Sequence, residues 1–375
     1  MAKYRIAWLP GDGVGVDVMN AARKVLDAVK LDAEYLHGDI GWDFWCKEGN
    51  PLPERTVKVL NESDVALFGT ITSPSKEEAA KELAPELQGK GLIYSSPIVT
   101  MRQSFDLYAC VRPCRSFAKN PLNCRENIDI TVFRETTEGL YSGIEFCPIP
   151  EDVRVVIEKH NTKMTRFNKF PAGEVALSAR IMTQTGCERI IRKAFEFAKA
   201  NNKPSVTLVE KSNMLRETGG LMLRTMKRIA TEYPDISWNE ANIDALCMWL
   251  LKNPERYHVL VAENMFGDII SDLCAQLVGG LGFACSGNIG DRYAIFEPTH
   301  GPALKYAGQN KVNPLATILA AMMMIDWLGE KEPARRIHAA VAVVVAEAKA
   351  RTSDMGGSTT TSDMADAVVE ALKRV

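Results

Sequence analysis

Short runs rich in branched and aromatic residues alternate along this chain with stretches of helical periodicity, and that alternation narrows the choice of fold more than any other feature. "RIAWL" (5–9) leads into a helical pattern from Val16 to Val29, and "DVALFG" (64–69) into the charged "KEEAAKELAPELQGKG" (76–91). Further on, "VTLVE" (206–210) is followed by "RTMKRIATEY", and "HVLVAEN" (258–264) by "DIISDLCAQLVGGLG". This order predicts an α/β architecture with parallel crossovers. The middle reads differently: "DITVFRETTEGLYSGIEF" (129–146) and "VRVVIEKHNTKMTRF" (153–167) carry period-two alternation and turn residues, which suggests antiparallel strands or an arm. With 375 residues and 46% hydrophobic content the chain can build two lobes. We expect one lobe from residues 1–103 plus 256–375, and a smaller one from residues 104–255.

The first strand ends in "PGDGVGVDV", which approaches the G-x-G-x-x-G turn of a dinucleotide-binding fold. Gly11 and Gly13 fit, but Val16 takes the third glycine's place. Asp12 would set a carboxylate against phosphate charge at a helix N-terminus. A strand-turn-helix is expected here, and a pyrophosphate cradle is not.

A formal net charge of −2 and the lack of an arginine-rich run argue against a nucleic-acid partner. Apolar stretches such as "HAAVAVVVAEAKA" (338–350) are too short to span a bilayer, and the first residues read as a strand, so no membrane partner is expected and the cytoplasm is the expected compartment. Nine cysteines without paired spacing read as reduced, mostly buried thiols. Cys110 and Cys114 in "CVRPC" lack the companions a zinc site needs.

Four stretches carry chemistry. In "NMFGDIISDLCAQLVGG" (264–280), Asp268 and Asp272 lie four apart and share a helix face, where two carboxylates can hold a hard divalent cation. From spacing alone the simpler reading, Asp268 as a helix cap and Asp272 as a solvated acid, is favoured over a metal pair. Asp244, isolated in the apolar "NIDALCMWLL", needs a partner, and a metal is one candidate. Arg102, Arg112 and Arg134 stand on or beside strand-like runs, and guanidinium groups converging in a cleft would suit a di- or tricarboxylate. Tyr141 in "EGLYSG" and Lys211 in "LVEKSNML" could relay protons, or be a half-buried phenol and a snorkelling lysine. Last, "FEPTHGPALKYAGQNKVNP" (296–314) is a long irregular loop whose charges after Glu297 are all basic, with Lys305 and Tyr306 adjacent, which would suit a phosphate-bearing ligand but taken alone is no more than suggestive.

Taken in order, "PGDGVGVDV", "VRP", "RETTEGLY", "EKSN", "NMFGDIISD", "GNIGD", "EPTHG" and "NP" resemble the decarboxylating β-hydroxyacid dehydrogenases, the isocitrate/isopropylmalate dehydrogenase family. The resemblance runs nearly end to end. It implies a two-lobed α/β fold that is not a Rossmann domain, and a homodimer with shared active sites. It implies that Arg102, Arg112, Arg134 and Ser96 bind substrate carboxylates, and that Tyr141 and Lys211 transfer protons, Lys211 reaching in from the second subunit. Mg²⁺ or Mn²⁺ would be held by Asp268 and Asp272 of one chain and Asp244 of the other. Thr72, Asn213, Glu297, His300, Gly301, Ala303, Lys305, Tyr306 and Asn313 correspond to cofactor-binding positions.

The resemblance also bears on selectivity. Relatives that use NAD usually carry an Asp-Ile pair where this chain has Lys305 and Tyr306, and replacing that carboxylate with a cation favours NADP. The tail "RTSDMGGSTTTSDM" (351–364) is closer to the NAD branches, with Ser353 and Gly357 where NADP-using bacterial enzymes supply a tyrosine and an arginine, so NAD stays possible. "YSGIEF" resembles isocitrate dehydrogenases, whereas Ile98 in "SSPIV" is similar to homoisocitrate dehydrogenases, and Thr136 replaces an asparagine of the usual R-E-N. The expected reaction is oxidative decarboxylation of isocitrate to 2-oxoglutarate, with homoisocitrate or 3-isopropylmalate as alternatives. A ligand-binding regulatory subunit is the non-enzymatic alternative.

Overall fold

The computed structural model describes residues 2–375. Twelve strands occur among them: β1 Tyr4–Gly11, β2 Ala33–His37, β3 Val65–Thr70, β4 Ala109–Arg115, β5 Asp129–Glu135, β6 Glu145–Phe146, β7 Leu177–Ser178, β8 Ser205–Glu210, β9 Ser237–Asn242, β10 Val259–Ala262, β11 Cys285–Ile289 and β12 Ala294–Pro298. Ten of them form one sheet in the order β2-β1-β3-β12-β11-β4-β5-β10-β8-β9. From β2 to β12 the strands are parallel, β11 is antiparallel to both β12 and β4, β4 is antiparallel to β5, and from β5 to β9 the strands are parallel again. Two parallel half-sheets thus run in opposite senses and meet at an antiparallel centre. The α/β expectation holds, and this order differs from that of a Rossmann sheet.

Strand periodicity sorts each half-sheet into two buried faces. Ile6, Val65 and Leu67 pack under the helices Gly15–Ala28, Leu315–Trp327, Lys331–Glu347 and Thr361–Leu372, whereas Ala7, Leu9, Ala66 and Phe68 face Leu60, Met101 and Leu107 on the other side. In the second half, Val206, Leu208, Val259 and Val261 meet the helices Gln184–Ala200 and Thr218–Ala230; Ile130, Val132, Leu260 and Ala262 meet Ile243–Lys252 and Asn264–Leu277. β10 and the helix after it therefore share cores with β5 and β8. Where the half-sheets join, Asp129 opens β5 opposite Arg115 of β4, accepting from Arg115 Nε at 2.9 Å and lying 2.5 Å from Lys203 Nζ.

The stretch 153–167 corrects the strand reading. Residues Glu151–His160 form a helix and Thr162–Phe167 a 3₁₀ turn, while β6 and β7 pair as a two-stranded ribbon around them. The helix follows Pro150 and has Glu151 and Asp152 in its first turn with Lys159 and His160 in its last, which suits the helix dipole. Arg154 pairs with Glu151 and Glu158 at helical spacing. None of its residues is buried, so Val153, Val155 and Val156 mimicked a half-buried strand without a core to face. The helical pattern expected over 76–91 is also shorter, ending at Lys81. All nine cysteines are free thiols, five of them buried. No helix among the described residues is long and apolar enough to cross a membrane.

Candidate active site

The antiparallel centre of the sheet brings the arginines together. β4 and β5 run side by side with Cys110 opposite Arg134, and the helix Pro97–Ser104, which starts after Ser96, carries Arg102 in its last turn. All three arginines are at most 9% exposed. A buried guanidinium needs partners, and each finds them. Arg102 donates from Nε to Asn288 Oδ1 at 2.8 Å and lies 3.4 Å from Glu297 Oε1, which also accepts from Asn288 Nδ2 at 2.7 Å. Arg112 donates from Nη1 to Ser271 Oγ at 2.7 Å and Asp272 Oδ1 at 3.0 Å, and is 3.5 Å from Asp268 Oδ1. Arg134 donates to Asn264 Oδ1 from Nε at 3.1 Å and Nη2 at 2.9 Å, and from Nη1 to Asp268.

Asp268 and Asp272 lie on the helix Asn264–Leu277, which Glu263 caps by accepting from Phe266 N–H at 2.8 Å. The cap is Glu263, so Asp268 is free to point into the site. The helix can lie this close because residue 267 is glycine: a Cβ there would stand 2.7 Å from Arg134 Cβ. Tyr141 donates to Asp268 Oδ2 at 3.5 Å, with its ring 5.6 Å from the Arg134 guanidinium. Burial, then the two neighbouring guanidiniums, lowers the Arg134 pKa to about 10. Burial raises that of Asp272 despite Arg112, and burial with the charge of Asp268 raises that of Tyr141, so the phenol keeps its proton at neutral pH.

Lys211 and Asp244 form a separate pair. Lys211 follows the last residue of β8, Asp244 stands in the first turn of Ile243–Lys252, and Nζ lies 2.5 Å from Oδ1. That hydrogen bond holds the Asp244 carboxyl below its usual range. No hydrogen bond joins this pair to Tyr141 or Asp268 among the described residues, and no three metal-ligating side chains gather there in one place. Two carboxylates at helical spacing, with side chains 34% and 62% exposed, are nevertheless the hard oxygen donors a divalent cation takes.

The expected cofactor residues fall mainly in two groups. Thr72 follows β3, and its buried Oγ1 has no hydrogen-bond partner. In the 296–314 loop, His300 Nδ1 is 3.0 Å from its neighbour Gly301's carbonyl, and its buried Nε2 is unpartnered. Burial lowers the His300 pKa and keeps the ring neutral. Ala303 adopts a left-handed φ of +41° ahead of the short 3₁₀ turn that exposes Lys305 and Tyr306. Asn313 donates to Asp354 Oδ2 at 3.0 Å, fixing the tail beside this loop. Glu297 instead belongs with Arg102 and Asn288, and Asn213 is exposed two residues beyond Lys211. Sequence reading missed Asn264 and Asn288, which hold two of the arginines. Both are buried asparagines beside apolar strands, and that is the signal that could have found them.

Comparison with known proteins shows the family. The family profile described as isocitrate/isopropylmalate dehydrogenase matches residues 5–368. Protein DlpA of Legionella pneumophila is 39% identical over 99% of this chain, which spans 59% of that protein's length. The isocitrate/homoisocitrate dehydrogenase of Thermus thermophilus is 38% identical over 99% of both chains. Among solved structures, isocitrate dehydrogenase from Methylococcus capsulatus is 36% identical and superposes with a TM-score of 0.85 over 99% of each chain. The chain belongs to the isocitrate/isopropylmalate dehydrogenase family.

Proposed function

We propose that this protein catalyses the oxidative decarboxylation of isocitrate to 2-oxoglutarate with NADP as the hydride acceptor. The observation that carries the reading is the meeting of two buried arginines, Arg112 and Arg134, with two helix-borne aspartates and a protonated tyrosine, with a third buried arginine, Arg102, near enough to act on Arg134 by its charge. The arginines are preorganised, and substrate carboxylates can replace part of the contact that Arg112 and Arg134 make with Asp268 and Asp272 through paired hydrogen bonds. Ser96, at the start of the helix that carries Arg102, would bind the same carboxylates. Mg²⁺ or Mn²⁺, held by Asp268 and Asp272 with Asp244 of a second copy, would polarise the substrate's hydroxyl and then its carbonyl oxygen. NADP would remove the hydride, its adenosine end held by the loop of His300, Gly301, Ala303 and Asn313 and its nearer parts by Thr72, Asn213 and Glu297.

Tyr141 is the acid that returns a proton to carbon after CO₂ leaves, and its raised pKa keeps it protonated until then. Lys211 of a second copy assists that transfer. An assembly of two copies is supported by exposed apolar side chains on adjoining helices, Met248, Trp249 and Leu251 on one and Ile269 on the other. Lys305 and Tyr306, both exposed with no carboxylate between them, support NADP over NAD. Homoisocitrate is the second reading, because Ile98 stands one helical turn before Arg102 and sets an apolar group beside the clamp.

Steady-state kcat/KM for isocitrate, homoisocitrate and 3-isopropylmalate, each with NADP and with NAD in the presence of Mn²⁺, tests the proposal. The highest value is expected for isocitrate with NADP. A higher value for another acid reassigns the substrate, and no reduction with any pair favours a ligand-binding regulatory subunit.

A further inference from the structure

The turn "GDGVG" leaves a carboxylate to explain, since Asp12 has no place in a phosphate cradle. Its side chain is 8% exposed and turns inward. Oδ1 accepts from Trp42 N–H and Oδ2 from Thr72 N–H, each at 2.7 Å. The backbone is held as tightly, with Asp12 N–H donating to Thr70 O at 2.7 Å and Thr70 Oγ1 to Asp12 O at 2.6 Å. Thr72 is gripped from its other side by Tyr94, whose hydroxyl donates to Thr72 O at 2.6 Å and whose ring meets Trp42 and Trp45 edge-on. With both backbone groups fixed, the Thr72 hydroxyl lies near the Asp12 carboxylate without a hydrogen bond of good geometry to it or to any other group.

The same turn reaches the loop on the opposite side. Val14 N–H donates to Pro302 O at 2.9 Å, and a Cβ on Gly13 (φ +56°) would lie 2.1 Å from that carbonyl. One turn of helix later, Asp17 Oδ2 accepts from Gly308 N–H at 3.1 Å. Residues 11–17 therefore tie the segment after β3 to the loop that carries His300, Lys305 and Tyr306.

Building on the proposed dinucleotide site, we infer that Asp12 is its positioning residue: it touches no cofactor itself, and sets Thr72 at a fixed distance from the 300–308 loop. Charge-assisted bonds from two backbone amides do this in a way no neutral side chain can, because a carboxylate accepts on both oxygens. Asp12→Asn keeps the shape, but offers an NH₂ group to one of two N–H donors.

The test is NADPH titration of the full-length protein and its Asp12→Asn variant, followed by fluorescence, together with steady-state kinetics. The variant is expected to bind NADPH about tenfold or more weakly and to raise the KM for the dinucleotide, with kcat and the KM for the hydroxy acid within about twofold. Unchanged NADPH affinity in a folded variant overturns the inference, as does a loss spread evenly over kcat and both KM values. If the variant does not fold, hydrogen exchange on the wild type decides: NADPH should slow exchange at residues 11–15, 71–73 and 300–308 together, and protection of the last group alone refutes the link. A wild-type protein that binds neither NADPH nor NADH overturns the proposed function, and this inference with it.

Discussion

Asp268 is shared by two guanidiniums and a phenol, and this crowding shows which parts of a site a sequence reveals. Arg102, Arg112 and Arg134 could be singled out because arginine is unexpected on apolar strands. Their neutral partners Asn264 and Asn288 left a fainter mark, an asparagine within or beside an apolar strand, since which guanidinium each carbonyl oxygen accepts from depends on residues far away in the chain. Asp12 was legible only as a misfit, and its two amide donors come from residues 30 and 60 positions away. Asp129 is a comparable case at the junction of the half-sheets. Burial alone would raise its pKa, but the Lys203 hydrogen bond and the charge of Arg115 outweigh it, so the carboxyl titrates below its unfolded value. A depressed pKa contributes stability above the unfolded value, and that contribution disappears as pH falls through the folded one. Asp129→Asn should therefore melt about 1–2 °C below wild type at pH 7, as expected for a half-exposed pair in a chain this long, with the gap closing below about pH 4. A gap that does not narrow at all as pH is lowered below about 4, in thermal melts followed by circular dichroism, would assign the effect to packing.

At the scale of elements, β1, β3, β8 and β10 were all legible because strands buried on both faces read as continuous apolar runs. The order in which they pair was not, because it depends on β11 and β4 reversing direction in the middle of the sheet. The helix Glu151–His160 was misread for the opposite reason: with no buried face, its pattern reports charge pairing along the helix instead of burial. The 296–314 loop falls between these cases. Its irregularity marked it as functional, and the fold ties it to the turn after β1 and, through Asn313, to the tail residue Asp354. Under the proposed function, cofactor choice is an element-scale property of that loop, since Lys305 and Tyr306 are presented together by one 3₁₀ turn. Replacing Lys305→Asp with Tyr306→Ile puts a carboxylate where a 2′-phosphate would lie, and should move the NADP/NAD ratio of kcat/KM toward NAD by about tenfold or more. An unchanged ratio would show that selection lies outside this turn.

At the scale of the whole molecule, the residues expected to form the site fall in two places. Arg102, Arg112, Arg134, Tyr141, Asp268 and Asp272 gather at the centre of the sheet, while Lys211 and Asp244 pair between the ends of β8 and β9, with no hydrogen bond between the groups. If each site of a homodimer combines the first group from one chain with the second from the other, two defective chains can repair each other. Lys211→Met should fold normally and lose at least about a hundredfold in turnover, as removal of a proton-transfer group does. Asp268→Asn should be inactive for a different reason, the loss of a metal-binding carboxylate. In a mixed dimer one site inherits both defects and the other neither. After denaturation and joint refolding of equal amounts, half of the dimers are mixed, so activity should return to about a quarter of wild type. Native mass spectrometry confirms that subunits have exchanged, and mixed dimers without recovered activity would place Lys211 and Asp268 in the same site of the same chain.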